Sequence, residues 1–401
     1  MINERMYKLG AARSEIRELF EYGKKRKAEI GSDNVYDFSL GNPSVPSPDE
    51  VNEALTDLIK NEDSINLHGY TSAQGDADVR KAIADHISKT HGFSISKDNL
   101  YLTVGAAAAL TCSLNAVVCP GEEVILLAPY FPEYKVFVEN IGATVKVVKC
   151  EGEGFEPDAE KIAEAISGKT AAIIVNSPNN PSGTVYSEEC IKAIAEVLKA
   201  KSCEYGKSIY LIADEPYREL VYDGRTVPFI PAYYDDTIVC YSYSKSLSLP
   251  GERIGYCMVS PRALEYERIY PAVCGAGRSL GYVCAPSLLQ KVIPHCIGLT
   301  SDISVYDRNR QLLLSKLTEY GFEIVKPQGA FYLFIKSPLE DAKSFSEAAK
   351  KFEILIVASD SFGYPGYARI SYCVKTEEIE RALPAFKSLA EYLGLAEKNN
   401  G

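Results

Sequence analysis

The sequence predicts an α/β fold with two parts: a large domain whose mostly parallel sheet is sandwiched by helices, and a smaller α+β domain built from N- and C-terminal segments. Three observations predict it. Helical and strand patterns alternate from about residue 75 to residue 241. Several of these strands are apolar at nearly every position, which is typical of parallel strands buried on both faces. Beyond residue 290 the pattern changes to a long helix followed by short strands, which indicates a separate mixed domain.

The N-terminal region is predicted to contain a helix and a strand. An amphipathic segment begins at Ser14 and ends in the four cations of residues 24–27, which complement the negative end of a helix dipole. Residues 35–40 form the first predicted strand and are expected to pack with the C-terminal part of the chain. The Ser-Pro-Asp-Glu sequence at 47–50 predicts a capping box with proline at the first helical position, so a new helix is expected to start there.

The remaining elements follow from apolar periodicity and from glycine, proline and polar stops. In the large domain we predict helices at 76–91, 106–118, 159–166 and 188–201, and strands at 100–104, 123–128, 144–149, 171–175, 209–213 and 238–241. Toward the C-terminus we predict helices at 301–320 and 344–352, and strands at 323–326, 330–335, 354–357 and 368–373. We therefore expect a large domain at 45–290 and a small discontinuous domain at 1–44 and 291–401.

The composition excludes several classes of protein. The formal net charge of the 401 residues is 43 − 54 = −11, which argues against a broad nucleic-acid surface. We find neither an apolar signal segment nor a run of the ~20 apolar residues that a membrane span needs. The eleven cysteines are scattered without zinc-site spacing, so we expect reduced thiols, no metal and a cytoplasmic location.

One stretch carries unusual chemistry. Lys245 ends the sequence Ser-Tyr-Ser-Lys at 242–245, and Arg253 follows eight residues later. A lysine amine forms Schiff bases with aldehydes, and hydroxyls together with a guanidinium bind a phosphate dianion. The stretch is therefore suited to a cofactor that is held covalently and carries a phosphate.

Other polar motifs follow the predicted strands. Asn180 lies in the turn after the strand ending at 175, and Asp214 and Tyr217 come directly after the strand ending at 213. Taken singly, these motifs are ordinary turns and caps. Because parallel strands end at one edge of a sheet, the same edge collects an amide, a carboxylate, a phenol and the Lys245 amine. This combination predicts a ligand site there.

These motifs, in this order, resemble the signature series of class I/II aminotransferases, the aspartate aminotransferase-like enzymes of pyridoxal-phosphate (PLP) fold type I. The matching motifs are Asn-Pro-Ser-Gly at 180–183, Asp-Glu-Pro-Tyr at 214–217, Ser-x-Ser-Lys at 242–245 with its arginine, and Arg-Ile-Ser-Tyr at 369–372. The resemblance implies pyridoxal 5′-phosphate as cofactor. It also implies a ping-pong transfer of an amino group from an L-amino acid to a 2-oxo acid such as 2-oxoglutarate.

The resemblance further implies a role for each matching residue. Lys245 is expected to hold the cofactor and carry a proton, Asp214 to pair with the ring nitrogen, and Tyr217 to bond the ring's 3-oxygen; these three form the expected catalytic set. The other expected cofactor contacts are Asn180, Phe131 on the ring face, Ser242, Ser244 and Arg253 at the phosphate, the helix start at Gly105, Ala106 and Ala107, and Tyr70 from a partner subunit. The expected substrate contacts are Gly41, Asn180 and Arg369.

Several alternatives stay open at this point. Tyr130 competes with Phe131 for the position on the ring face. Tyr70 implies a homodimer with shared sites. One alternative function is that of a carbon–sulfur β-lyase, which has the same scaffold and the same lysine. A second is that of a PLP-binding transcription regulator, but this class needs a DNA-binding arm, for which the residues before about 35 leave no room. Aspartate is the favoured donor, alanine or an aromatic amino acid is the alternative, and Arg278 is a candidate ligand for a distal carboxylate.

Overall fold

The fold is taken from a computed structural model, which describes residues 2–11, 14–152 and 154–395. The helices in these residues are α1 (Glu4–Ala11), α2 (Glu15–Ile30), α3 (Asp49–Asn61), α4 (Ser64–His68), α5 (Ala77–His91), α6 (Ala106–Val117), α7 (Glu133–Asn140), α8 (Ala159–Ala165), α9 (Glu188–Tyr205), α10 (Tyr243–Ser246), α11 (Tyr266–Ser279), α12 (Ser287–Cys296), α13 (Ile303–Glu319), α14 (Ala342–Lys350) and α15 (Thr376–Tyr392). The strands are β1 (Tyr36–Asp37), β2 (Leu100–Thr103), β3 (Glu123–Ala128), β4 (Thr144–Lys149), β5 (Thr170–Asn176), β6 (Tyr210–Asp214), β7 (Thr237–Ser242), β8 (Gly255–Val259), β9 (Ile324–Val325), β10 (Tyr332–Lys336), β11 (Ile354–Leu355), β12 (Val357–Ala358) and β13 (Tyr367–Ser371).

A seven-stranded sheet forms the centre of the large domain. Its strand order is β2-β8-β7-β6-β5-β3-β4. The neighbours from β4 to β7 pair in parallel, while β8 is antiparallel to both β7 and β2. The expected mostly parallel sheet is confirmed. Sequence periodicity missed β8, which closes the edge next to the lysine motif.

Successive residues of the parallel strands alternate between two hydrophobic cores. In β6, Leu211 and Ala213 belong to the core that contains apolar residues of α3, α5, α9 and α12. Ile212 belongs to the core that contains residues of α6 and α11. Because both faces are buried, nearly every position of the strand must be apolar, which explains the pattern in the sequence. Helices therefore cover both faces of the sheet, as expected.

The small domain contains a four-stranded antiparallel sheet of order β12-β13-β10-β9, with α13, α14 and α15 contributing to its core. The N-terminal segment joins this part of the molecule through β1, in which Tyr36 and Asp37 pair in parallel with Ile354 and Leu355. The segments around β1 and β11 thus lie together, and β13 carries Arg369 toward the large domain.

Two local predictions are wrong. Residues 354–357 form two short strands in different sheets, because the chain leaves one sheet at Ile356 and enters the other. The predicted capping box at 47–50 is absent: Pro48 takes the N-cap position with φ −51° and ψ 145°, and no side chain caps α3. Proline in this non-helical conformation moves the helix start to Asp49, so the hydroxyl of Ser47 lies too early in the chain to cap it.

The domain boundary predicted at residue 290 lies inside α12. Leu289, Val292 and Ile293 of this helix belong to the same core as α3 and α5 of the large domain. We therefore propose that the division falls in residues 297–302, between α12 and α13.

The described residues contain no helix with the length and apolar character of a membrane span. They also contain no group of three or more His, Cys, Asp or Glu side chains placed to hold a metal ion. All eleven cysteines are free thiols.

Truncating the small-domain core tests the packing described above. Leu313 of α13 is fully buried, so we expect Leu313→Ala to lower the free energy of unfolding by about 2–5 kcal/mol, through lost burial and the cavity left behind. Urea denaturation followed by circular dichroism measures this loss. The matched control is Leu339→Ala in a loop, where the side chain is 37% exposed and a loss below about 1 kcal/mol is expected. Equal losses in the two variants would contradict the assigned core.

Candidate active site

A cavity of about 280 Å³ lies where the parallel strands end, between the large and small domains. Strands β5, β6 and β7 end at Asn176, Asp214 and Ser242, and all three residues line it. The small domain contributes Tyr332 and Arg369. Of the residues predicted from the sequence, the cavity brings together Gly41, Ala106, Ala107, Phe131, Asn180, Asp214, Tyr217, Ser242, Ser244, Lys245, Arg253 and Arg369.

Lys245 lies in the short helix α10, directly after β7, and points across the cavity. Its Nζ donates a hydrogen bond of 2.7 Å to the carbonyl oxygen of Gly41 and lies 5.4 Å from the centre of the Phe331 ring. Burial lowers the pKa of the Lys245 ammonium to about 8; Cys373 opposes this shift, and the charges of Arg253 and Arg369 add to it. A substantial fraction of the amine is therefore neutral near pH 8, and this form is nucleophilic and accepts protons.

Asp214 is buried at the end of β6. Its Oδ2 accepts a hydrogen bond from the Tyr134 hydroxyl, and its Oδ1 is buried without a hydrogen-bond partner among the described residues. Burial raises the pKa of this carboxyl to about 7; the Tyr134 bond opposes the shift and Glu215 adds to it. Because a buried acceptor without a partner is costly, Oδ1 is suited to receive an N–H from a ligand.

Asn180 connects the β5 turn to Arg369 of the small domain. Its backbone N–H donates to Asn176 Oδ1 at 2.8 Å, and its own Oδ1 accepts a bond of 3.1 Å from Arg369 Nη1. Arg369 Nη2 donates to the carbonyl oxygen of Ser39 at 2.5 Å, while its Nε is buried without a partner in the described chain. The guanidinium, which is 2% exposed, is therefore held in place with donor capacity left for an anion.

Tyr217 and Tyr332 meet at the wall of the cavity. Their hydroxyl oxygens are 2.9 Å apart, and the Tyr332 ring centre lies 4.7 Å from the guanidinium carbon of Arg369. A Cβ added to Gly41 would overlap the Tyr332 hydroxyl. Glycine at position 41 therefore allows the backbone carbonyl to bond Lys245 while the Tyr332 hydroxyl lies against the α-carbon.

A group of anion-binding donors, here called the phosphate cradle, also lines the cavity. The Ser242 and Ser244 hydroxyl oxygens are 2.7 Å apart, and Arg253 Nη1 donates to Ser244 Oγ at 3.3 Å. Ala106 lies at the start of the twelve-residue α6, which has no side-chain cap. Gly105 precedes it with φ +86°, and a Cβ there would lie 2.5 Å from Arg253 Nη2. Hydroxyls, a guanidinium and uncapped helix amides together are chemically suited to a phosphate.

The remaining residues considered from the sequence lie partly inside and partly outside the cavity. Phe131 lines the cavity and packs edge-on against Tyr134 at 5.7 Å, whereas Tyr130 is buried against Gly363 and lies outside it. Geometry thus favours Phe131 over Tyr130 for the ring face. Tyr70 is 91% exposed and does not line the cavity of its own chain, and the exposed Arg278 does not line it either.

Eight residues that line the cavity were not among the predicted site residues. Leu110, Asn176, Pro216 and Pro250 lie within the predicted helix 106–118 or beside the predicted motifs, and the other four are Tyr134, Tyr332, Ile16 and Leu40. Tyr134 lies three residues after Phe131 on the first turn of α7, so the motif pointed to its neighbourhood without indicating its bond to Asp214. Nothing local indicated the other three, because their positions depend on how the small domain packs against the large one.

The residues of the cavity fit a pyridine ring that carries an aldehyde and a phosphate. An unpaired buried carboxylate oxygen, a lysine with a lowered pKa and a hydroxyl–guanidinium cradle occupy one cavity, which defines the class of PLP-dependent enzymes. A family model described as "Aminotransferase class I and II" matches residues 33–386. The chain belongs to this family, and it is a PLP-dependent transaminase.

Similar proteins agree with this assignment. The aspartate aminotransferase of Thermotoga maritima is 29% identical over 375 residues, covering 92% of this chain and 95% of that protein. A probable aspartate/prephenate aminotransferase of Thermus aquaticus is 31% identical, with 87% and 89% covered. Among solved structures, an amino transferase from Eubacterium rectale has a TM-score of 0.95 at 54% identity, with 98% of this chain and 99% of that chain covered. The aspartate aminotransferase of Thermus thermophilus with maleate has a TM-score of 0.84 at 26% identity, with 97% and 99% covered.

Proposed function

We propose that this enzyme moves the amino group of an L-amino acid to a 2-oxo acid in two half-reactions of a ping-pong cycle. The observation that carries the proposal is that Lys245, Asp214 and Arg369 face one cavity, each with unused bonding capacity. When bound, PLP supplies an electron sink for the charge that develops when the α-proton of the amino acid leaves.

The large-domain residues hold and tune the cofactor in this proposal. Lys245 binds it covalently, and its Nζ takes and returns the α-proton when substrate displaces it. Asp214 accepts the ring N–H through Oδ1 and keeps the ring cationic. Tyr217 and Asn180 bond the ring's 3-oxygen, and Phe131 covers one face of the ring. The phosphate is bound by Ser242, Ser244, Arg253 and the amides of Ala106 and Ala107 after Gly105.

Arg369 binds the substrate α-carboxylate in this proposal, with Asn180 and the backbone at Gly41 beside it. Arg369→Lys removes the planar fork of donors while keeping the charge. We expect KM for the amino donor to rise about 10- to 100-fold, with a smaller change in kcat, because the lost contact is made to bound substrate and transition state alike. Steady-state kinetics measure the change. The exposed Arg381→Lys is the control, and an unchanged KM in Arg369→Lys would contradict the assigned role.

Two kinds of donor are candidates. Aspartate is favoured by the names of the similar enzymes. Donors with uncharged side chains are favoured by the charges of the cavity: among its described lining residues the cations are Lys245, Arg253 and Arg369, and all three already have roles. A distal carboxylate therefore needs a cation from elsewhere, such as a partner subunit. Aspartate, alanine and phenylalanine compared by kcat/KM with 2-oxoglutarate distinguish the two, since a preference for alanine or phenylalanine excludes aspartate as main donor.

We further propose a homodimer in the cytoplasm. Tyr70 is fully available to a second chain, being 91% exposed on the large domain. Eleven free thiols suit a reducing compartment. Mixing Tyr70→Phe chains with an excess of Lys245→Ala chains tests the shared site: a rise in activity per chain that carries Lys245 supports a Tyr70 that serves the partner's cavity, and no rise contradicts it.

Initial-velocity kinetics test the overall proposal. Varying the amino donor at several fixed 2-oxoglutarate concentrations should produce parallel double-reciprocal lines, because the first product leaves before the acceptor binds. Intersecting lines would contradict the two half-reactions.

A further inference from the structure

A second cavity lies behind the segment that carries Lys245. Its volume is about 510 Å³, within the usual range for small-molecule sites. Along residues 241–246, Tyr241, Tyr243 and Ser246 line this cavity, whereas the other three residues line the active-site cavity. The two cavities share none of their described lining residues, so the second one, here named the rear cavity, is a separate site.

Buried carboxyl groups outnumber buried guanidinium groups at the rear cavity. Arg218 lines it and forms an ion pair with Glu215, which is 1% exposed. Glu219 also lines the cavity, and its Oε2 is buried without a hydrogen-bond partner in the described residues, as is Oε1 of Glu215. Burial raises the pKa of both carboxyls, and Arg218 opposes the shift in each. Two carboxyl groups thus share one guanidinium, so the second of them is neutralised either by a proton or by a bound cation.

The other titratable groups of the cavity wall do not supply that positive charge. Burial lowers the pKa of His86 and lowers the pKa of His91 to about 4, with Arg218 adding to both shifts, so both rings are neutral at pH 7. Arg225 is exposed, and its charge is therefore largely solvated. The carboxylate of Glu219 consequently lacks a buried counter-ion of its own.

Aromatic and apolar groups make up most of the remaining wall. Tyr241, Tyr243 and Tyr256 present rings, and Ile83 and Ile87 of α5 present aliphatic surface. Aromatic faces attract cations, most strongly where water is excluded. Arg218 already uses this attraction, with its guanidinium carbon 4.9 Å from the centre of the Tyr241 ring.

We propose that the rear cavity binds a small organic cation, a protonated amine or amidine with an apolar or aromatic body, with Glu219 as its counter-ion. The cavity volume accommodates such a body, and the tyrosine rings and isoleucines contact it. The excess carboxylate selects the positive charge and disfavours free carboxylic acids.

Such a ligand would contact two segments of the chain, one beside Lys245 and one between the domains. Residues 296–299, which connect α12 to α13 and hence the two domains, line the rear cavity. The following Ser301 donates its backbone N–H to the carbonyl oxygen of Ser246 at 2.7 Å, next to Lys245. Binding therefore acts on the connection between α12 and α13 and on the lysine turn together, and we expect it to change kcat without competing with the amino donor.

Benzamidine is a suitable probe, because its amidinium matches a carboxylate and it carries no α-carboxylate for Arg369. We expect benzamidine to raise the Tm of the PLP-loaded enzyme in a saturable manner. Glu219→Gln should weaken its Kd at least about tenfold, while Glu189→Gln, an exposed change on α9, leaves the Kd unchanged. Inhibition or activation by benzamidine should affect kcat and be non-competitive with the amino donor.

A second variant addresses the case in which Glu219→Gln does not fold. Thr90 lies on the exposed end of α5 and lines the rear cavity, so Thr90→Trp fills the opening without changing the buried charges. Loss of the benzamidine-induced Tm rise in this variant supports the proposal. A rise that persists in Thr90→Trp, an equal rise with potassium chloride, competition with the amino donor, or no rise in the wild-type enzyme would each overturn it.

Discussion

Replacing Lys245 by alanine should lower kcat at least about 10⁴-fold while leaving the fold intact. The expected loss is large because the single amine at this position both holds the cofactor and carries the proton. Its pKa of about 8 allows it to accept a proton near neutral pH, and a methyl group does neither task. Coupled assays of 2-oxo acid formation measure the loss.

The control for this variant is Lys199→Ala, an exposed lysine on α9. It should retain wild-type kcat and wild-type PLP absorbance. Lys245→Ala should still bind PLP through the phosphate cradle, but the cofactor should be lost on dialysis much faster than from the wild-type enzyme. Full turnover in Lys245→Ala would show that another base serves the reaction.

Replacing Asp214 by asparagine should lower kcat by about 10²- to 10³-fold, the usual size of an electrostatic contact to developing charge. The amide has nearly the same shape as the carboxylate but cannot carry the negative charge that keeps the ring nitrogen protonated. The exposed Asp235→Asn serves as the matched control. A kcat within threefold of wild type in Asp214→Asn would exclude the assigned role.

The raised pKa of Asp214 predicts that the free energy of unfolding of the cofactor-free enzyme depends on pH. The pKa of Asp214 is raised from 3.8 to about 7 in the folded chain. Between these values the folded state binds one proton more than the unfolded state, so the contribution to stability is present at low pH and is lost as pH rises toward 7. We expect Asp214→Asn to reduce this slope in urea unfolding measured from pH 4 to 8, whereas Asp235→Asn should leave it unchanged. If the unfolding free energy of Asp214→Asn changed with pH as steeply as that of the wild-type enzyme, the raised pKa of Asp214 would be contradicted.

The sequence was most informative where a strand and its polar terminus are adjacent in the chain. Asp214 follows the apolar run of β6, and Lys245 lies three residues after the end of β7. Once the strands are taken as parallel, these side chains must meet at one edge. Fold class and the large-domain half of the site are therefore local properties that one sequence reveals.

The rest depends on packing between segments far apart in the chain. Tyr332 reaches Tyr217 and Ile16 reaches the cavity only because the small domain closes over the strand ends. The start of α3 at Asp49 depends on the conformation that Pro48 adopts. The rear cavity likewise combines α5, the residues after β6 and the segment before α13, and no motif connects them.

In a ping-pong cycle the amino group stays on the cofactor after the first product leaves. Mixing the PLP-loaded enzyme with a reactive L-amino acid, with no 2-oxo acid acceptor present, tests this retention of the amino group. We expect release of one equivalent of the corresponding 2-oxo acid per active site, no free ammonia, and a change from the absorbance of the lysine-bound cofactor to that of its amine form. Continuous release of a 2-oxo acid together with ammonia, as a β-lyase produces from cystine, would contradict it.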